Sequence, residues 1–288
     1  KMQLSWDSSP PSFSFLYVIP LSVRKLFAPG VWRTSMPFPR KIVVITGANT
    51  GISKETAREL DSRGAQRYTE GIICCETQAN TNNSQMLIQK LDPSHTKSTG
   101  AFAKGSLAEK KQLHVLINNA GVMMYLYSKS AGGFETHLGV NILSHFLCAH
   151  LLLVPLKKSV PSQVMNLSSV THHVVKIHLH NLRGSRALPQ QSDQCVFNWE
   201  LAKRLQGTEV IIYAVDPGII HSQLVWDSFL LCLVWTFFIL FIKSTWLHCP
   251  LAQSLEPLCD KYFGDCMKTW LSPRVCNNKT IEYLWNVT

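Results

Sequence analysis

Gly47 and Gly51 stand in the stretch Thr46-Gly47-Ala48-Asn49-Thr50-Gly51-Ile52-Ser53. Glycines so placed let a chain turn tightly and bring a large anion against bare backbone, because no Cβ is in the way. The chemistry this suits is the grip on a pyrophosphate. The run Ile42-Val43-Val44-Ile45 just before it predicts a strand buried on both faces. A helical pattern follows through Leu60. Strand, glycine turn and helix together aim a helix N-terminus at phosphate. An ordinary βα turn that binds nothing uses the same parts, so the glycines alone leave both readings open.

Further along lie Leu116-Ile117-Asn118-Asn119-Ala120-Gly121-Val122, then Asn141 in Gly-Val-Asn-Ile-Leu-Ser-His-Phe, then Asn166-Leu167-Ser168-Ser169, then Pro217-Gly218. In that order, and over roughly Lys41 to Leu224, the chain resembles the short-chain dehydrogenase/reductase family. The wording LHVLINNAGVMM, His172-His173 after the serines, and Leu201-Ala202-Lys203-Arg204-Leu205 resemble its microsomal NADP-retinol dehydrogenase branch. The resemblance implies an α/β fold: one Rossmann-type domain with a doubly wound parallel sheet and helices on both faces. It implies NADP(H) as cofactor, a lipophilic, retinoid-like alcohol or carbonyl as substrate, and residence at the endoplasmic reticulum membrane facing the cytosol. It assigns cofactor contacts to Gly47, Asn49, Gly51, Ile52, Asn119, Ala120, Gly121, Pro217 and Gly218. Asp92 matches the family's adenine-contacting aspartate, although an Asp before Pro93 is also common turn chemistry. Ser169 matches the serine that holds the substrate oxygen. Asn141 matches the asparagine that opens a helix to hold a water in the proton relay.

The reaction also needs a tyrosine activated by a lysine one helical turn away, as Tyr-x-x-x-Lys. The pair belongs between Ser169 and the Leu201–Leu205 helix end. Ser192-Asp193-Gln194-Cys195-Val196-Phe197-Asn198-Trp199-Glu200 holds neither residue. Tyr125 and Lys129 have the spacing but come before Ser169, where the family has a loop, and are read as coincidence. The text looks as if a block carrying the pair had been removed, which opens the alternative of a non-catalytic, nucleotide-binding or membrane-associated relative. The same helix often packs across the family's dimer interface, so its loss weakens the expectation of a homo-oligomer and leaves the oligomeric state open. Two smaller departures are Ser53 in place of the third turn glycine and Ser144 where a glycine is usual. The Ser53 Cβ either costs stability at a close helix–strand contact, on the order of 1–3 kcal/mol, or comes with a hydroxyl that can donate to phosphate.

The elements that must position these residues can be read in turn. Gly64 in Arg63-Gly64-Ala65 predicts the first helix stop. For the second strand, Gln66 to Gly71 is a poor candidate, and Ile72-Ile73-Cys74-Cys75 a better one that arrives late. Cys74-Cys75-Glu76 then falls where a ribose-binding residue belongs, without the family's arginine. Met86 to Asp92 predicts the third strand and Thr96 to Lys111 a helix. Val115 to Ile117 gives the fourth strand, Thr136 to Leu156 a long helical pattern containing Asn141, Val164 to Ser169 the fifth strand and Val210 to Val215 the sixth.

With 46% hydrophobic and 16% charged residues, the 288-residue chain fits a globular protein with some membrane contact. The net charge of +10 comes without a clustered basic run bearing aromatics, which argues against nucleic acid. Nine scattered cysteines with no CxxC pair exclude a zinc or disulfide framework, and His178 and His180 alone make no metal site. Residues 1–40 read as a membrane-anchor-like leader with basic flanks, and 41–288 as the catalytic domain. Residues 229–242 form an apolar stretch suited to a membrane interface or a lipophilic cleft. The aromatic-rich remainder is expected to close the domain.

Overall fold

A computed structural model describes residues 41–49, 51–70, 86–109, 111–122, 127–168, 191–216, 261–264 and 267–269. They build an eight-stranded sheet of order β3-β2-β1-β4-β5-β6-β7-β8. Strand β1 (Ile42–Ile45) pairs in parallel with β2 (Gln66–Glu70) on one side and β4 (Val115–Asn118) on the other. The chain therefore reverses its direction of winding at β1, and the crevice beside that strand's C-terminal end is where such sheets take ligands. Strands β3 (Met86–Gln89), β5 (Ser162–Leu167) and β6 (Val210–Asp216) continue the parallel sheet.

The β-branched run of β1 explains its burial on both faces. Ile42 and Val44 point into one core with Leu116, Val164 and Ile212, while Val43 and Ile45 point into another with Ile117, Met165 and Tyr213. Helix α1 (Gly51–Ser62) covers the second face through Ala57 and Leu60. Helices α2 (Thr96–Glu109), α4 (Ser144–Leu151), α5 (Leu153–Lys158) and α6 (Gln191–Arg204) cover the first, through Phe102, Cys148, Leu156 and Leu201. Gly64, at φ +85, ends α1 as expected, with its amide donating to the Asp61 carbonyl.

Three segments differ from the reading of the sequence. The second strand is Gln66–Glu70, the segment read as the poorer candidate, while Ile72-Ile73-Cys74-Cys75 lies outside the described residues. The strand's polar residues are poor strand formers, but the chain leaving Ala65 already lies beside β1, and β3 supplies a partner on the far side. Pairing on both edges overrides local propensity. The third strand stops at Gln89, leaving Asp92 in the turn that follows.

The long helix is broken: a short α3 (Thr136–Leu138) passes into a π-turn (Gly139–Leu143), then α4 and α5. The break at Leu152 puts Pro155 in the first turn of α5, where its missing amide is not needed. The expected doubly wound parallel sheet is present; beyond β7 (Lys261–Gly264), which is parallel to β6, an antiparallel edge strand, β8 (Met267–Thr269), is added.

Candidate nucleotide site

The floor of the crevice is a seam between the β1 turn and the end of β4. The Thr46 hydroxyl accepts from the amides of Asn119 at 3.0 Å and Ala120 at 3.1 Å. The Thr46 amide donates to the Ile117 carbonyl, and Asn119 Nδ2 reaches the Thr46 carbonyl at 3.3 Å. Gly47 sits at φ +69, and a Cβ there would lie 2.8 Å from the Ala120 Cα. No side chain fits that approach, and the left-handed backbone disfavours one as well. Gly51, at φ +59, then starts α1, whose first turn carries no acidic residue. The N-terminal end of a helix carries partial positive charge and favours an anion. With no carboxylate in that turn to compete, the residues present fit a dinucleotide's pyrophosphate. Asn49 is exposed at the rim, while Gly51, Ile52 and Asn119 are half-buried.

Ser53 uses its hydroxyl within the protein. Its hydroxyl is fully buried and donates to the Gly47 carbonyl at 2.5 Å. A hydroxyl has one proton to give, so donation to phosphate is excluded in this arrangement. The serine ties the helix back onto the turn instead.

Asn141 lies inside the π-turn, an irregularity that marks functional positions in many helices. Its side chain clamps Val122, accepting from that amide at 2.8 Å and donating to that carbonyl at 2.9 Å. A Cβ on Gly121 would meet Asn141 Oδ1 at 3.2 Å. Asn141 thus fixes the chain just beyond Asn119-Ala120-Gly121. Ser144, one residue past the π-turn, donates to the Val140 carbonyl at 2.7 Å. Four residues after Asn141, His145 hydrogen-bonds the Asn141 backbone, and complete burial pushes its imidazole down to about 4. It is neutral at physiological pH.

Asp92 shows the turn chemistry. Its carboxylate accepts from the Ser94 amide at 2.9 Å and hydroxyl at 2.6 Å, while its own amide donates to Ser98 Oγ. The Ser94 hydroxyl bond leads the effects that hold this carboxyl below its usual range.

A second polar seam was not foreseen. Asn118 Nδ2 donates to Asn166 Oδ1 at 2.6 Å, and Asn166 Nδ2 donates in turn to Asn198 Oδ1. All three are buried, on β4, β5 and α6 respectively. The ladder sets α6 against the ends of the central strands. Its sequence signal was three asparagines far apart in the chain, which no local pattern connects. Thr46 was likewise missed as a site residue, although it directly precedes the glycine turn.

Ser169, Pro217 and Gly218 lie outside the described residues, as do Tyr125, Cys74-Cys75-Glu76, His178, His180, the leader 1–40 and the apolar stretch 229–242. The structure therefore brings together Gly47, Gly51, Asn119, Ala120, Gly121 and Asn141 from the expected set. Among the described residues no group of three side chains could hold a metal, and no helix is long and apolar enough to cross a membrane.

The short chain dehydrogenase family pattern matches residues 41–230, which contain the glycine turn, both seams and α6. Retinol dehydrogenase 12 of Bos taurus is 57% identical over 299 residues, covering 96% of this chain and 93% of that protein. That span is longer than the 288 residues here, so the alignment sets some residues of the relative against none in this chain. Retinol dehydrogenase 11 of Homo sapiens is 46% identical, covering 95% of this chain and 92% of its own length. A crystal structure of an uncharacterised protein from Mycobacterium Paratuberculosis superposes with a TM-score of 0.71 at 29% identity, covering 90% of this chain and 96% of that one. With its switch-point glycine turn docked on Asn119-Ala120-Gly121, the chain belongs to the short chain dehydrogenase family.

Proposed function

We propose that this chain is a nicotinamide-dinucleotide oxidoreductase of the retinol dehydrogenase type, descended from NADP(H)-linked enzymes acting on lipophilic, retinoid-like alcohols and carbonyls. The observation that carries this reading is the seam joining Thr46 and Gly47 to Asn119 and Ala120 at the C-terminal ends of adjacent parallel strands. It leaves a backbone-lined crevice with a helix N-terminus at one end. The substrate class is supported by the relatives' names and their near full-length match.

In this reading Gly47, Asn49, Gly51 and Ile52 line the pyrophosphate, and Asp92 lies at the adenine edge. Asn119, Ala120, Gly121, Pro217 and Gly218 border the nicotinamide side. Bound there, the cofactor supplies or accepts hydride. Ser169 would hold the substrate oxygen, and Asn141 keeps the neighbouring backbone in place. The setting is the cytosolic face of the endoplasmic reticulum membrane.

A specific observation favours a second reading for turnover. Helix α6 docks where the acid/base pair belongs, yet its sequence from Gln191 to Arg204 has no tyrosine, and its sole lysine is Lys203 in the last turn. The chain then binds nucleotide without reducing anything at an appreciable rate.

Thermal melts of detergent-purified protein titrated with NADH and NADPH test the reading. A ligand that binds only the folded state adds about 2.7 kcal/mol at one hundred times its dissociation constant. A saturable upward shift is expected. A cooperative melt that neither nucleotide moves would sink the reading, and assays with retinal separate its two forms.

A further inference from the structure

We propose that Ser53 is a positioning residue for the nucleotide, its hydroxyl latching the Gly47–Ala48 peptide in the orientation that receives an anion. The proposal rests on the dinucleotide reading above and adds to it a side chain that never touches the ligand. The glycine turn is held from two directions. On the β4 side, the Thr46 amide donates to the Ile117 carbonyl, and the Thr46 carbonyl accepts from Asn119 Nδ2. On the helix side, the Ser53 hydroxyl donates to the Gly47 carbonyl at 2.5 Å. Ser53 is the third residue of α1 and has no exposed surface. A hydrogen bond in such a place is stronger than one in water and is not exchanged for one to solvent.

A trans peptide is planar and carries its C=O and N–H on opposite sides. With the Gly47 carbonyl drawn back onto α1, the Ala48 amide is turned away from the helix. Glycine resists rotation of the peptide beside it less than other residues do, because both signs of φ are open to it, and Gly47 already sits at φ +69. A flip of this peptide sets a carbonyl oxygen where the amide had been. A pyrophosphate approaching the N-terminus of α1 then meets negative partial charge in place of a donor. The Ser53 hydroxyl opposes that flip with one buried hydrogen bond. A glycine at position 53, as the family carries, offers no such restraint. A loop already held in its binding form has less freedom to lose when the ligand arrives.

The test uses the full chain purified in detergent. It measures dissociation constants for NADH, NADPH and ADP-ribose, which share the pyrophosphate, and stopped-flow association rates for NADH and NADPH. Ser53→Ala and Ser53→Gly are expected to bind all three about three- to tenfold more weakly, the span of one hydrogen bond. The loss should sit in the association rate, because fewer turns stand ready to bind. A variant with a lower melting temperature and unchanged binding makes the bond structural alone and overturns the proposal, leaving the dinucleotide reading intact. A weakening carried by the dissociation rate overturns it as well. In the parent chain the observed association rate should rise linearly with nucleotide concentration. A plateau there, the mark of a turn that must rearrange first, overturns the proposal even where neither variant folds. Binding of none of the three ligands by the parent overturns the dinucleotide reading with it.

Discussion

The region around β1, α1 and β4 and the region around β5, α6 and β6 are built to the same standard and equipped very differently. Every residue of β1, β4 and β6 is buried. The described side chains of α6 are seated in the core, with Phe197, Leu201 and Ala202 buried there and Phe197 packed edge-on against Phe146 of α4 at 4.7 Å. In the first region the residues that close the packing also line the crevice. In the second, packing and chemistry are carried by different residues, so the helix docks well while bearing no acid/base pair. The seating of that helix is therefore independent of any acid/base pair.

The sharpest way to break this comparison is to re-equip the second region. Inserting a helical turn with Tyr-x-x-x-Lys ahead of α6 should raise retinal reduction by about 10²–10⁴-fold, the usual contribution of a placed general acid. Steady-state assays of the parent and the insertion variant check it. No gain would mean that the second region lacks more than the pair.

Acidification probes the joint between the two regions. His145 is buried and held down to about 4, against about 6.5 in an unfolded chain. Its contribution is complete above pH 6.5 and is lost as pH falls toward 4, because the unfolded chain takes up the proton first. The loss amounts to about 3 kcal/mol at roughly 1.4 kcal/mol per pKa unit. His114, whose Nδ1 accepts from the Ile42 amide at 3.0 Å, is also lowered, mainly by burial, and adds in the same direction. Urea midpoints between pH 7 and 4 should fall accordingly. In a His145→Gln variant the fall should be shallower, and an unchanged slope would remove His145 as its source.

The smallest effect expected is from Gly47→Ala, about 1–3 kcal/mol from the left-handed backbone and the forced retreat of Ala120. It should lower the melting temperature and the nucleotide-induced shift together. A loss of the shift with an unchanged melt would show that the turn grips ligand without bracing the sheet.

Much of the first region was legible because its signals are local. Ile42 to Ile45, the glycine turn and Asn119-Ala120-Gly121 each announce themselves within a few residues, and the switch point follows from their order. What escaped is settled by partners distant in sequence. Gln66–Glu70 becomes a strand because β1 and β3 flank it. The ladder Asn118–Asn166–Asn198 exists only once β4, β5 and α6 are assembled. The π-turn at Gly139–Leu143 interrupts a pattern that reads as continuous helix, because burial periodicity scarcely changes when one turn widens. Ser53 was read toward an external anion, and the nearer carbonyl of Gly47 took its proton instead.

The bonds from Thr46 to Asn119 and Ala120 hold β1 to β4 whether or not a nucleotide ever arrives. A residue that braces the sheet is kept by its contribution to stability, apart from any contribution to turnover. A glycine turn docked in this way testifies to a sound sheet, and activity is tested at residues that stability does not protect.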